Sequence, residues 1–137
     1  RGLQDGSIDA IATDHAPHHD DQKNLELPSA AFGIIGLEPS WALTYTHLVK
    51  TKKLSLEQAI SLLTDRPAGV LGIRRGTLAK GSHANVTLID PKQQWTFGPQ
   101  HIHSKSKNSP FYGWKLQSKV VRTIYQGKTI FMDLAVQ

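Results

Sequence analysis

The sequence predicts an α/β protein in which one buried strand and a group of helices are followed by a small antiparallel β unit. Three observations lead there. A short apolar run, Ile8–Thr13, follows Gly6 and Ser7 and ends in a cluster of polar residues. Residues 37–73 carry apolar side chains at helical spacing, with start and stop signals at the ends. After Gly76 the pattern alternates and breaks at glycines, as strands and turns do.

Ile8–Thr13 is too short for a helix and suits a strand buried in a parallel sheet. Residues 14–36, "DHAPHHDDQKNLELPSAAFGIIG", hold no sustained period and read as a long loop, of the kind that follows a strand end where α/β folds place their sites. Pro39 suits a first helical position, and Leu37, Trp41, Tyr45 and Leu48 would share a face of the helix it opens. A second helix starts at Ser55, whose hydroxyl and Gln58 form a capping-box pattern; Leu56, Ala59, Ile60, Leu62 and Leu63 supply its apolar face. "DRPAGVLGI" reads as a further helical turn with Pro67 early and Gly72 at the stop. Asn85–Asp90 is the expected strand core of the second half, and Pro91–Gln117 reads as loop-rich. "KVVRTIYQGKTIF" reads as a hairpin turning at Gln126-Gly127. The expected division is 1–75 and 76–137.

Composition narrows the function. There is no cysteine, so disulfides and thiolate metal sites are excluded and any metal must use His and carboxylate ligands. The net charge is +5, but the basic residues are scattered. The densest spots, Lys50–Lys53 and Arg74–Arg75, have no aromatic residues between them, so solvated charge is a better reading than a nucleic-acid face. No apolar run approaches the ~20 residues of a membrane span, and a cytoplasmic protein fits comfortably. A strand as apolar as Ile8–Thr13 needs neighbours on both sides, which this chain does not supply. That, with an abrupt start at Arg1, leads us to expect sequence upstream.

The chemistry gathers in "TDHAPHH", Thr13–His19. Asp14, at the end of the apolar run, would point into a site at the carboxyl end of a strand. A carboxylate there can bind Zn²⁺ at ~2.0–2.2 Å and share a proton with a metal-activated water. His18, after the turn that Pro17 enforces, could hydrogen-bond an anionic substrate group. His15 would face the other way and is expected to be structural. His19, with Asp20 and Asp21, looks like solvated loop. An ordinary polar loop explains the same spacing, because a single carboxylate does not hold a zinc. His101-Ile102-His103 has a spacing that metal sites use, but no strand leads into it and Lys105 and Lys107 follow.

At "IDAIATDHAPH" the chain resembles the dihydroorotases of the bacterial, multi-histidine type, in the amidohydrolase superfamily. "FGIIGLE", "LTDRPAGVLGI…GTLAKGSHANVTLID" and "SKSKNSPFYGWKL" followed by "GKTIF" extend the resemblance over nearly the whole chain. The resemblance implies the C-terminal portion of a (β/α)8 TIM-like barrel, with Ile8–Thr13 as its eighth strand, followed by a small β-rich domain. It implies a cofactor of one or two Zn²⁺, with Asp14 as metal ligand and catalytic acid/base. It implies that His18 and the backbone of Phe32 and Gly33 bind the substrate. The reaction implied is the reversible, zinc-dependent cyclisation of N-carbamoyl-L-aspartate to L-dihydroorotate in pyrimidine biosynthesis. The family's first-strand His-x-His ligands and nearby Arg are not found here, so the chain alone should be inactive.

Two rivals stand beside this reading. One is an allantoinase- or hydantoinase-like cyclic amidohydrolase, whose closing segment is shared and whose allantoinase-like members also use the "TDHAPH" motif; the "KSKNSPF" tail favours dihydroorotase. The other is a non-catalytic scaffold for aspartate carbamoyltransferase, against which retention of Asp14 and His18 argues. The expected partners are therefore a small-molecule substrate and other copies of the chain, possible association with aspartate carbamoyltransferase, and neither nucleic acid nor membrane.

Overall fold

A computed structural model describes residues 1–73 and 77–133. The expected division at 75/76 and the Arg74–Arg75 pair fall outside the described residues. The fold is α/β: the helical segment Ser40–Val49 lies against one three-stranded antiparallel sheet, in the order β1 (Val86–Thr96), β2 (Lys115–Tyr125), β3 (Lys128–Met132).

The helical half follows its local signals. α1 (Gly2–Asp5) and α2 (Asp20–Lys23) are single turns with no buried residue. α3 (Ser40–Thr44) begins directly after Pro39 and widens into a π-helical turn over Tyr45–Val49, closed by the Lys50 amide on the Tyr45 carbonyl at 2.9 Å. Within that turn Thr46 Oγ1 accepts from the Gln117 amide at 2.9 Å, which ties the helix to β2. α4 (Leu56–Ser61) has the expected capping box: the Gln58 amide donates to Ser55 Oγ at 3.1 Å, and the Ser55 amide donates to Gln58 Oε1 at 2.9 Å. α5 (Asp65–Val70) ends before Gly72, at φ 68°.

The apolar run Ile8–Thr13 does not join a sheet. It carries no ladder, and its Ile11 amide bonds instead to the Leu62 carbonyl at 2.9 Å. The reason is that no described strand lies alongside it; an apolar run becomes a strand only when neighbours satisfy its backbone. Only at its far end does a bridge form, parallel, between His15 and Ile34.

The sheet is longer than expected. β1 runs past Pro91 to Thr96, and β2 begins at Lys115, so Pro91–Gln117 is loop only between those points. Pro91 is accommodated because β1 is an edge strand and its register with β2 shifts between Asp90 and Gln94. Opposite the shift, Ser118 is buried at φ 68°. Its strained backbone is bracketed by two indoles: Trp41 Nε1 donates to Ser118 Oγ at 2.8 Å and Trp95 Nε1 to its carbonyl at 3.1 Å. The hairpin turns at Gln126 and Gly127, φ 48° and 78°, as the strand twist requires. Phe97, Ala42 and Leu116 form the core between α3 and the sheet, with Leu43, Trp95, Ile102 and Phe111 packed around them.

Candidate functional site

The site is built where residues 13–18 pass residues 33–37. Two glycines make the approach possible. A Cβ on Gly36 would lie 2.9 Å from the Thr13 carbonyl oxygen, and one on Gly33 would lie 2.5 Å from Ala16 Cβ. Gly33 also sits at φ 107°, which a side chain would disfavour. The Ala16 amide donates to the Ile34 carbonyl at 2.9 Å and closes the contact.

Asp14 stands at the tip of this turn at φ 44°. Its carboxylate is exposed and makes no hydrogen bond or ion pair with any described residue. His15 turns the other way. Its Nδ1 accepts from the amides of Gly36 (3.1 Å) and Leu37 (3.4 Å), so the ring proton is on Nε2, which donates to Ser104 Oγ at 3.4 Å. The Ser104 hydroxyl donates to Glu38 Oε1, which also accepts the backbone amides of Ser104 (2.7 Å) and His103 (3.2 Å). Burial pushes the Glu38 pKa up, but the Ser104 hydroxyl and these amides outweigh it and hold the carboxyl below its ordinary range. Asp14 is thus the free end of a turn anchored through its neighbour.

His18 lies on the opposite flank, its Nε2 3.5 Å from the position a Gly33 Cβ would take. Asn108 joins the two. Its Oδ1 accepts the His18 amide at 3.5 Å, and its Nδ2 donates to the carbonyls of Ala16 (3.0 Å) and Gly33 (3.2 Å). Lys23 Nζ adds bonds to the carbonyls of Ala31 (2.7 Å) and Gly33 (3.1 Å). The amides of Phe32 and Gly33 and the His18 ring make no hydrogen bond with a described residue, which leaves them available to a ligand. The Phe32 side chain is 91% exposed. The structure therefore brings His18 and Gly33 together beside the Asp14 turn and leaves the Phe32 ring outside it.

Among the described residues no three His, Asp or Glu side chains group closely enough to hold a metal. Asp14, a hard oxygen donor with nothing attached, fits the role of one ligand and no more. His101 and His103 belong to the aromatic packing. His101 Nδ1 accepts the Gly98 amide at 3.1 Å, and its ring centroid lies 4.7 Å from that of Trp95. Burial, with help from Lys119, pushes its pKa down. His103 packs edge-on against Phe131.

Asn108, Ser104, Glu38 and Lys23 are not singled out by sequence reading. Asn108 and Ser104 lie in an aperiodic Ser/Lys-rich loop, and nothing in local spacing announces a partner some 75–92 residues away.

Comparison with known proteins places this geometry. A family model described as the amidohydrolase family matches residues 11–131, which include every site residue above. The chain belongs to the amidohydrolase family. Among curated members of that family it is 50% identical over 129 residues to the dihydroorotase of Geobacter metallireducens. It is 48% identical over 130 residues to that of Citrifermentans bemidjiense. These matches take in 94–95% of this chain but 30% of each relative, so the chain spans about 30% of their length. Among solved structures it superposes with TM-score 0.89 and 25% identity on a dihydropyrimidinase from Brevibacillus agri. It superposes with TM-score 0.88 and 29% identity on an L-hydantoinase from Arthrobacter aurescens. Each superposition covers 96% of this chain and 30% of the other. Family and fold agree on an amidohydrolase-type α/β architecture with a small antiparallel sheet. Among the described residues no helix is long and apolar enough to cross a membrane.

Proposed function

We propose that this chain supplies the C-terminal part of a dihydroorotase: the last strand and helices of a (β/α)8 barrel, then a β-rich segment. The observation that carries the reading is 48–50% identity, over nearly the whole chain, to proteins named dihydroorotase. In this reading Ile8–Thr13 takes up strand pairing when the rest of the barrel lies beside it, and Asp14 joins ligands from other strands.

The reaction is reversible closure of N-carbamoyl-L-aspartate to dihydroorotate. Zn²⁺ bound with Asp14 as one ligand would supply Lewis acidity and lower the pKa of water. Asp14 has the free carboxylate that proton movement requires. In the hydrolytic direction water oxygen bonds to the ring amide carbon and the carbon–nitrogen bond breaks. Asp14 takes the proton from water and returns it to the departing nitrogen. His18 and the free amides of Phe32 and Gly33 hold the substrate, whose carboxylate and ring carbonyls match N–H donors.

A second reading, hydantoinase-like hydrolysis, is favoured by the structural neighbours named hydantoinase and dihydropyrimidinase. Its weaker identity argues against it. The test is a hybrid holoenzyme in which this chain replaces the matching segment of the Geobacter metallireducens dihydroorotase. Profiled against dihydroorotate, hydantoin and allantoin, it should prefer dihydroorotate, and preference for another ring would overturn the reading. In the same enzyme His18→Ala should raise KM while leaving bound zinc unchanged; loss of zinc would make His18 a ligand instead.

A further inference from the structure

We propose that Asn108 is a positioning residue for the substrate side of the site, locking His18 and Gly33 into one geometry from a loop far along the chain. The inference rests on the dihydroorotase reading for its substrate, and on the hydrogen bonds for its geometry.

The Asn108 side chain meets three backbone groups on both flanks of the candidate site: the His18 amide at 3.5 Å, the Ala16 carbonyl at 3.0 Å and the Gly33 carbonyl at 3.2 Å. One face of this set needs an acceptor and the other needs two donors. A carboxamide is the side-chain group of this length that provides both in one plane, and the pattern itself fixes which atom is oxygen and which nitrogen. Aspartate would keep the bond to His18 but set a carboxylate oxygen against two carbonyls. Alanine would lose all three bonds.

The clamp acts on the groups assigned to substrate, not on the carboxylate assigned to metal. Asn108 makes no bond to Asp14, whose turn is held by the separate His15–Ser104–Glu38 connection. The loop carrying Asn108 is also pinned by its main chain, because the Ile35 amide donates to the Asn108 carbonyl at 3.1 Å. That bond does not depend on the side chain, so replacing Asn108 removes the positioning contacts while the loop stays attached.

The test uses the hybrid holoenzyme. Asn108→Ala should raise KM for dihydroorotate on the order of 10-fold to 10²-fold, the cost of misplaced binding groups, with a smaller fall in kcat and unchanged bound zinc. A KM within about twofold of the parent overturns the proposal, and so does loss of zinc in step with activity, since Asn108 would then support the whole site. Should the alanine variant fail to fold, the near-isosteric Asn108→Asp is read the same way. A parent hybrid that turns over hydantoin but not dihydroorotate defeats the dihydroorotase reading alone, and the KM for hydantoin then tests the clamp. A parent inactive on every ring leaves amide exchange as the readout. His18 exchange must quicken in Asn108→Ala, and unchanged exchange overturns the proposal.

Discussion

The turn that carries Asp14 and the sheet that ends the chain are stabilised in opposite ways. The sheet holds itself: β2 pairs with β1 on one side and β3 on the other, through ladders with local register shifts, and Phe97 and Leu116, 1% and 2% exposed, seal it against Ala42 of α3. Around the Asp14 turn Ile35 is buried, but the apolar cover is otherwise thin. Ile8 is 49% exposed, Phe32 is 91% exposed, and order comes from hydrogen bonds that His15, Lys23 and Asn108 make to distant main chain and that Ser104 makes to the His15 ring. A buried carboxylate would be neutralised or paired, whereas an exposed and unpaired one such as Asp14 is within reach of a ligand.

That contrast can be broken from either side. The largest effect should come from Asp14→Asn in the hybrid enzyme: kcat falls by about 10²-fold to 10⁴-fold because the proton carrier is lost. In the metal-stripped enzyme stability should move by less than about 0.5 kcal/mol, since the carboxylate has no protein partner to lose. Steady-state kinetics beside a denaturant melt separate the two, and turnover close to the parent would remove Asp14 from its assigned role.

Phe97→Ala should do the reverse. Emptying that core position costs about 3–5 kcal/mol in stability, seen as a lower urea midpoint, while the folded fraction keeps its KM.

Glu38→Gln should fall between them. It loses charge-assisted bonds from Ser104 and two amides, worth about 1–3 kcal/mol at neutral pH. Because the folded-state pKa of Glu38 lies below its ordinary value of 4.5, its contribution is present above that pH and disappears as pH falls through the depressed pKa. The parent should therefore lose stability more steeply than the variant below about pH 4.5; parallel acid melts would show that the carboxylate contributes nothing. The smallest effect is Ser55→Ala, which breaks the α4 capping box for about 0.5–2 kcal/mol and leaves the site kinetics unchanged.

Much of the helical half and the hairpin was legible in the sequence, for a common reason. The Ser55–Gln58 box, the stop at Gly72 and the Gln126-Gly127 turn are contacts between near neighbours, so residue type and spacing specify them. Asp14 at the end of an apolar run is legible as a candidate on the same grounds, and so is the turn of His15 away from it. The pattern of Asn85–Asp90 predicts a strand that stops too early, because Pro91 signals a break locally while an edge strand with a register shift carries the ladder past it. Ile8–Thr13 has the composition of a strand, but pairing depends on neighbours.

By itself, then, the sequence determined the short-range devices and marked Asp14 as the residue we propose to carry a proton. The tertiary structure alone decided what holds that residue and its companions in place. Asn108 reaches Ala16 and His18, and Ser104 reaches His15, across separations of 89–92 residues. Such bonds have no period and no local signature. They exist because the chain's path delivers a carboxamide to main-chain groups that would otherwise be left unsatisfied, and a hydroxyl to the His15 ring and the Glu38 carboxylate.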